Sequence, residues 1–83
     1  MLRQSSSSEI RVAVVFGPDS KIRPVWFELN RRRHDVQTIT NSWKHRSGET
    51  LQIHFHVTDG GALFELIFNP VSATWQLIHI EAI

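Results

Sequence analysis

Leu51, Ile53, Phe55 and Val57 alternate with Gln52, His54, His56 and Thr58. A period of two puts the first set on a core and the second on a wet face, as in a half-buried antiparallel strand. The same rhythm recurs from Glu9 to the C-terminus: apolar and β-branched runs lie between short turn signals, and no stretch has a helical period. Strands are predicted at Ile10 to Phe16, about Arg23 to Leu29, about Arg33 to Lys44, Leu51 to Thr58, Ala62 to Phe68 and Thr74 to about Ile80. Gly17-Pro18-Asp19-Ser20, Asn30-Arg31-Arg32, Ser47-Gly48-Glu49, Asp59-Gly60-Gly61 and Asn69-Pro70-Val71-Ser72 supply the turns.

Details refine these elements. Pro24 cannot donate to a ladder, so it belongs at a strand start or on an edge. Phe27 shares parity with Val25 and Leu29 and should point inward, which leaves Trp26 on the outer face. Val36 is out of phase with Ile39 and Trp43, so a β-bulge is expected near Gln37-Thr38. Trp43 and Trp75 are expected to be mostly buried. A helical turn is expected near Asn41–Arg46. The run from Ala62 to Phe68 is apolar on both faces except at Glu65, as in a central or covered strand. Together these predict an all-β fold: about six antiparallel strands in meander order, forming a curled sheet or a small, partly open barrel of SH3-like or roll type. Residues 9–83 form a single small β domain. Residues 1–8 form a disordered tail with too little apolar surface to offset its ordering entropy.

Composition narrows the chemistry. The 83 residues include no cysteine, which excludes disulfides, thiolate metal sites and cysteine nucleophiles and fits a reducing, cytoplasmic setting. No apolar run approaches the ~20 residues of a membrane span, and Met1 to Ser8 lacks the apolar stretch of a signal peptide. There is no G-x-S-x-G, no glycine-rich phosphate loop and no pair of carboxylates at useful spacing. The expectation is therefore a non-enzymatic binding domain without a cofactor.

Charge is segregated along the chain. Lys21, Arg23, Arg31, Arg32, Arg33, Lys44 and Arg46 face only Glu28 and Asp35 in the central third, whereas residues 47–83 carry no Lys or Arg. Trp26, Phe27 and Trp43 fall inside the basic segment. Cations that track phosphates beside rings that stack bases would bind nucleic acid, single-stranded or duplex. On that reading Arg31, Arg32, Arg33, Lys44 and Arg46 contact phosphates and Trp26 stacks. The alternative is a protein partner or a homodimer, engaged through an edge strand. A third reading is metal binding. His54 and His56 lie on one strand face, with His34, His45, His79 or Asp59 as a further ligand.

The stretch Pro24-Val25-Trp26-Phe27-Glu28-Leu29-Asn30-Arg31-Arg32-Arg33-His34-Asp35-Val36, followed by Ile39 and Trp43, resembles an uncharacterised family of small bacterial β domains with the pattern P-x-x-F-x-W-x-G-R-x-Y-x-V and a later Trp. Gly61-Ala62-Leu63-Phe64-Glu65-Leu66 and Trp75-Gln76-Leu77 resemble the family's G-x-F-E-L and W-x-L segments. Leu29, Arg31 and His34 depart from its usual Trp, Gly and Tyr. Some members accompany genes of translesion DNA polymerases, so the resemblance implies an accessory, non-catalytic role near DNA.

Overall fold

The computed structural model describes residues 8–83, apart from the side chain of Ser20. The expected tail therefore lies outside the described residues, except Ser8, which begins the first strand. The architecture is all-β. Eight strands, β1 (Ser8–Ile10), β2 (Val12–Phe16), β3 (Ile22–Leu29), β4 (Arg32–Asp35), β5 (Thr38–Ser47), β6 (Thr50–Thr58), β7 (Ala62–Asn69) and β8 (Thr74–Ala82), pair antiparallel. They form two sheets that do not close into a barrel: β1-β8-β7-β6-β5 and β2-β3-β4.

Two expected strands are each divided between the sheets. Ile10 to Phe16 breaks at Arg11: β1 pairs with β8 in the larger sheet and β2 with β3 in the smaller one. The expected third strand breaks at Val36-Gln37, where the chain crosses from one sheet to the other. Val36 N–H donates to Val25 of the smaller sheet at 3.0 Å and Gln37 N–H to Thr58 of the larger at 2.8 Å. A crossing thus stands where a bulge was expected.

The bulge itself lies a few residues later. Ile39 faces Val57 and Asn41 faces His56, so Thr40 is the extra residue. This shift turns Trp43 to the outer face opposite His54, and Trp43 is half-buried rather than mostly buried. The expected helical turn at Asn41–Arg46 is instead extended strand, all of it within β5. Alternating side chains paired along β6 outweigh any local helical tendency there.

Other expectations hold. Phe27 is fully buried, Trp75 is buried and β7 is the central strand of its sheet. Pro24, expected at a strand start or on an edge, instead lies inside β3, the middle strand of three, and is buried. It is tolerated because the ladder with β4 stops at Trp26, and because a bulge at Val25 irregularly pairs Pro24 with Val14. The β3–β4 hairpin turns on Asn30 and Arg31, with φ of 54° and 66°. Positive φ at both positions suits the strand twist of a two-residue hairpin. It costs an arginine roughly 1–2 kcal/mol that glycine would not incur.

Between the sheets lie Phe27 from the smaller and Phe55, Val57, Phe64, Leu66, Phe68, Trp75 and Leu77 from the larger. The smaller sheet spans only part of the larger one's inner face, and this mismatch creates the site described next.

Candidate functional site: an open cleft beside a free strand edge

The two sheets diverge over β5 and β6 and leave a cleft of about 860 Å³. Ile22, Ile39, Ile53 and Phe55 give it an apolar floor, and Lys21, Arg23 and Lys44 line it with positive charge. None of these three cations has an ion-pair partner among the described residues. Asp19, at φ 63° in the short 3₁₀ turn Pro18–Ser20, is the acid in the lining.

β5 forms one border of the larger sheet, bonded to β6 on one side and, among the described residues, free on the other. From Thr40 to Ser47 every residue except Trp43 is exposed. Residues directly opposite in an antiparallel pair share a face. Ser42, Lys44 and Arg46 lie opposite Phe55, Ile53 and Leu51 and so share the inner, cleft-side face, whereas Asn41, Trp43 and His45 lie on the outer face.

The structure divides the basic residues singled out in the sequence. Arg31, Arg32 and Arg33 belong to the β3–β4 hairpin. Arg33 is engaged there: its Nε donates to Asp35 Oδ1 at 2.8 Å and its guanidinium lies 4.9 Å from the centre of the Trp26 ring. Trp26 is half-buried on the outer face of the smaller sheet. Lys44 and Arg46 lie far along β5, six and eight residues from Thr38. At ~3.3 Å per residue that is about 20 Å or more from the start of β5. The fold instead gathers Lys21 and Arg23 with Lys44 around the cleft. Lys21 and Arg23 belong to the basic segment seen in the sequence but were not assigned to a binding surface, because nothing in their local pattern shows that β3 begins beside β5.

The outer face of β6 is not the wet face its polarity suggested. Glu65 of β7 reaches across it, and its Oε2 lies 3.2 Å from His54 Nδ1 and its Oε1 3.2 Å from His56 Nε2. A carboxylate only accepts, so both ring nitrogens donate. Trp43 stacks on His54 with ring centres 4.9 Å apart and meets His56 edge-on at 4.8 Å. Partial burial works to raise the Glu65 pKa, but the two imidazole donors together outweigh it, and the carboxyl sits below its ordinary value. Glu65 is the partner that the sequence reading missed, although its signal was present as the lone charge in an apolar strand.

His45 meets His54 edge-on with ring centres 5.9 Å apart, whereas His34 and His79 lie apart from this group. His34 Nδ1 donates to Asp59 Oδ2 at 2.9 Å, and His79 pairs with Glu81. Among the described residues, no three His, Cys, Asp or Glu side chains are grouped so as to hold a metal ion. Among them, too, no helix is long and apolar enough to cross a membrane.

Comparison with protein-family models, curated proteins and solved structures finds no match. Geometry alone defines the class: a small two-sheet β domain with an open, cation-lined cleft next to an unpaired strand edge.

Proposed function

We propose that this is a non-enzymatic protein-interaction domain that captures an extended segment of a partner by strand addition to β5. The observation that carries the reading is the long β5 edge, unpaired along its length and flanked on its inner side by the cleft. Main-chain hydrogen bonds to such an edge supply affinity, and alternate side chains falling into a neighbouring groove supply specificity.

Strand addition has a signature of period two, since only alternate N–H groups of the added strand point at β5. The test uses a blocked hexapeptide, Ser-Thr-Ser-Thr-Leu-Thr, and two twins with N-methyl groups on alternate nitrogens, one in each phase. Amide shifts of the ¹⁵N-labelled protein are followed at millimolar peptide. One phase should abolish the shifts at Thr40–Ser47 and the other should leave them. Equal tolerance of both phases would mean that no ladder forms.

A further inference from the structure

Resting on strand capture at β5, we infer the chemistry of the captured segment: it carries acidic side chains opposite Arg46 and Lys44 and an apolar side chain opposite Ser42.

Side chains of an added strand that lie opposite Ser42, Lys44 and Arg46 share their face and turn toward the cleft. At Lys44 they meet a cation without an ion-pair partner, with Lys21 and Arg23 lining the same cleft. Among the described residues Arg46 has no ion-pair partner either. Acids at these two positions would give Lys44 and Arg46 ion-pair partners, and a lysine there would meet like charge on its own strand pair.

One step along, Ser42 is small and lies opposite Phe55, whose ring forms part of the cleft floor with Ile53. A Leu-sized side chain in the added strand at this position has room above a hydroxymethyl group and can cover the half-buried Ile39 and Ile53 of the cleft. The outward positions see Asn41, Trp43 and His45 and accept polar or aromatic residues.

Charge also argues against a second β5 as the occupant. The strand reads Thr-Ile-Thr-Asn-Ser-Trp-Lys-His-Arg-Ser and holds no acid. Two copies paired edge to edge would bring two Lys44 and two Arg46 side chains into one ribbon without a counter-charge. The fitting occupant is a different, acidic strand.

The experiment compares three blocked hexapeptides that differ only at the inward positions opposite Arg46 and Lys44: Glu-Thr-Glu-Thr-Leu-Thr, Ser-Thr-Ser-Thr-Leu-Thr and Lys-Thr-Lys-Thr-Leu-Thr. Each is titrated into the ¹⁵N-labelled protein at low salt and again at high salt. The acidic peptide should bind at β5 about ten-fold more tightly than the neutral one, the margin that two partly exposed ion pairs supply. The lysine peptide should be the weakest, and salt should narrow the gap. Lys44→Glu with Arg46→Glu, both at exposed positions that leave the core untouched, should reverse the order. Equal binding of acidic and neutral peptides at Thr40–Ser47 would overturn the acidic preference and leave strand capture standing. Absence of shifts there with all three would overturn both.

Discussion

Replacing Phe27 with alanine is expected to remove most of the stability of this fold. Phe27 is the fully buried aromatic side chain of the smaller sheet, and it holds that sheet to the larger one. Its ring stacks on His34 of β4 with centres 5.2 Å apart and meets Phe64 of β7 edge-on at 4.9 Å. Truncating a buried Phe to Ala costs about 3–5 kcal/mol through lost transfer energy and the cavity left behind. A domain of this length holds roughly 4–12 kcal/mol in total, so the variant should sit close to its unfolding threshold. Thermal denaturation should show its midpoint lowered by at least about 15 °C. Phe27→Leu keeps much of the volume and should lose far less. A drop below about 5 °C in the alanine variant would mean that the sheets are held together elsewhere.

Asp59→Ala is the second large effect expected. Asp59 opens the β6–β7 turn, where its Oδ1 accepts from the N–H groups of Gly61 and Ala62 at 2.9 and 3.0 Å while its Oδ2 accepts from His34. One carboxylate therefore shapes a hairpin of the larger sheet and ties it to β4 of the smaller one. Alanine leaves three donors without this acceptor and should cost about 2 kcal/mol, since water can reach part of the turn. Asp59→Asn retains an oxygen for the turn and should recover much of the loss.

The same residue should appear in the pH dependence of stability. The His34 hydrogen bond, then the Gly61 amide, hold the Asp59 carboxyl below its ordinary value, and Glu65 is lowered as well. A group with a lower pKa in the folded state stabilises fully above its unfolded value, and that contribution is lost as pH falls through the folded one. Denaturant midpoints should therefore decline below about pH 4, where carboxyls ordinarily titrate, and decline less steeply in Asp59→Asn and Glu65→Gln. Stability that rises on acidification would contradict these assignments.

Individual residues show how far the chain could be read without coordinates. The inward set Leu51, Ile53, Phe55 and Val57 was legible because alternation is a local signal and one face of β6 packs on the core. The turn at Asn30-Arg31 and the central place of β7 were legible for similar reasons. The breaks at Arg11 and at Val36-Gln37 were not. Each lies inside a continuous strand-like run, and only pairing decides which sheet a residue joins. The bulge shows how sensitive the reading is to register: an extra residue at Thr40 carries Trp43 from one face to the other. The basic residues fared similarly. Their count was visible, but that Lys44 keeps company with Lys21 and Arg23 rather than with Arg32 and Arg33 depends on where two sheets part.

Strand capture requires the outer edge of β5 to be open. Residue-resolved amide hydrogen exchange of the isolated protein measures this directly, because in an edge strand only alternate N–H groups are bonded inward. Exchange should be slow along Ile53–Thr58 and Leu63–Phe68, which have a strand on each side, and alternately slow and fast along Asn41–Ser47, independent of protein concentration. Uniform protection along β5, or protection that grows with concentration, would show the edge already covered and would contradict the claim.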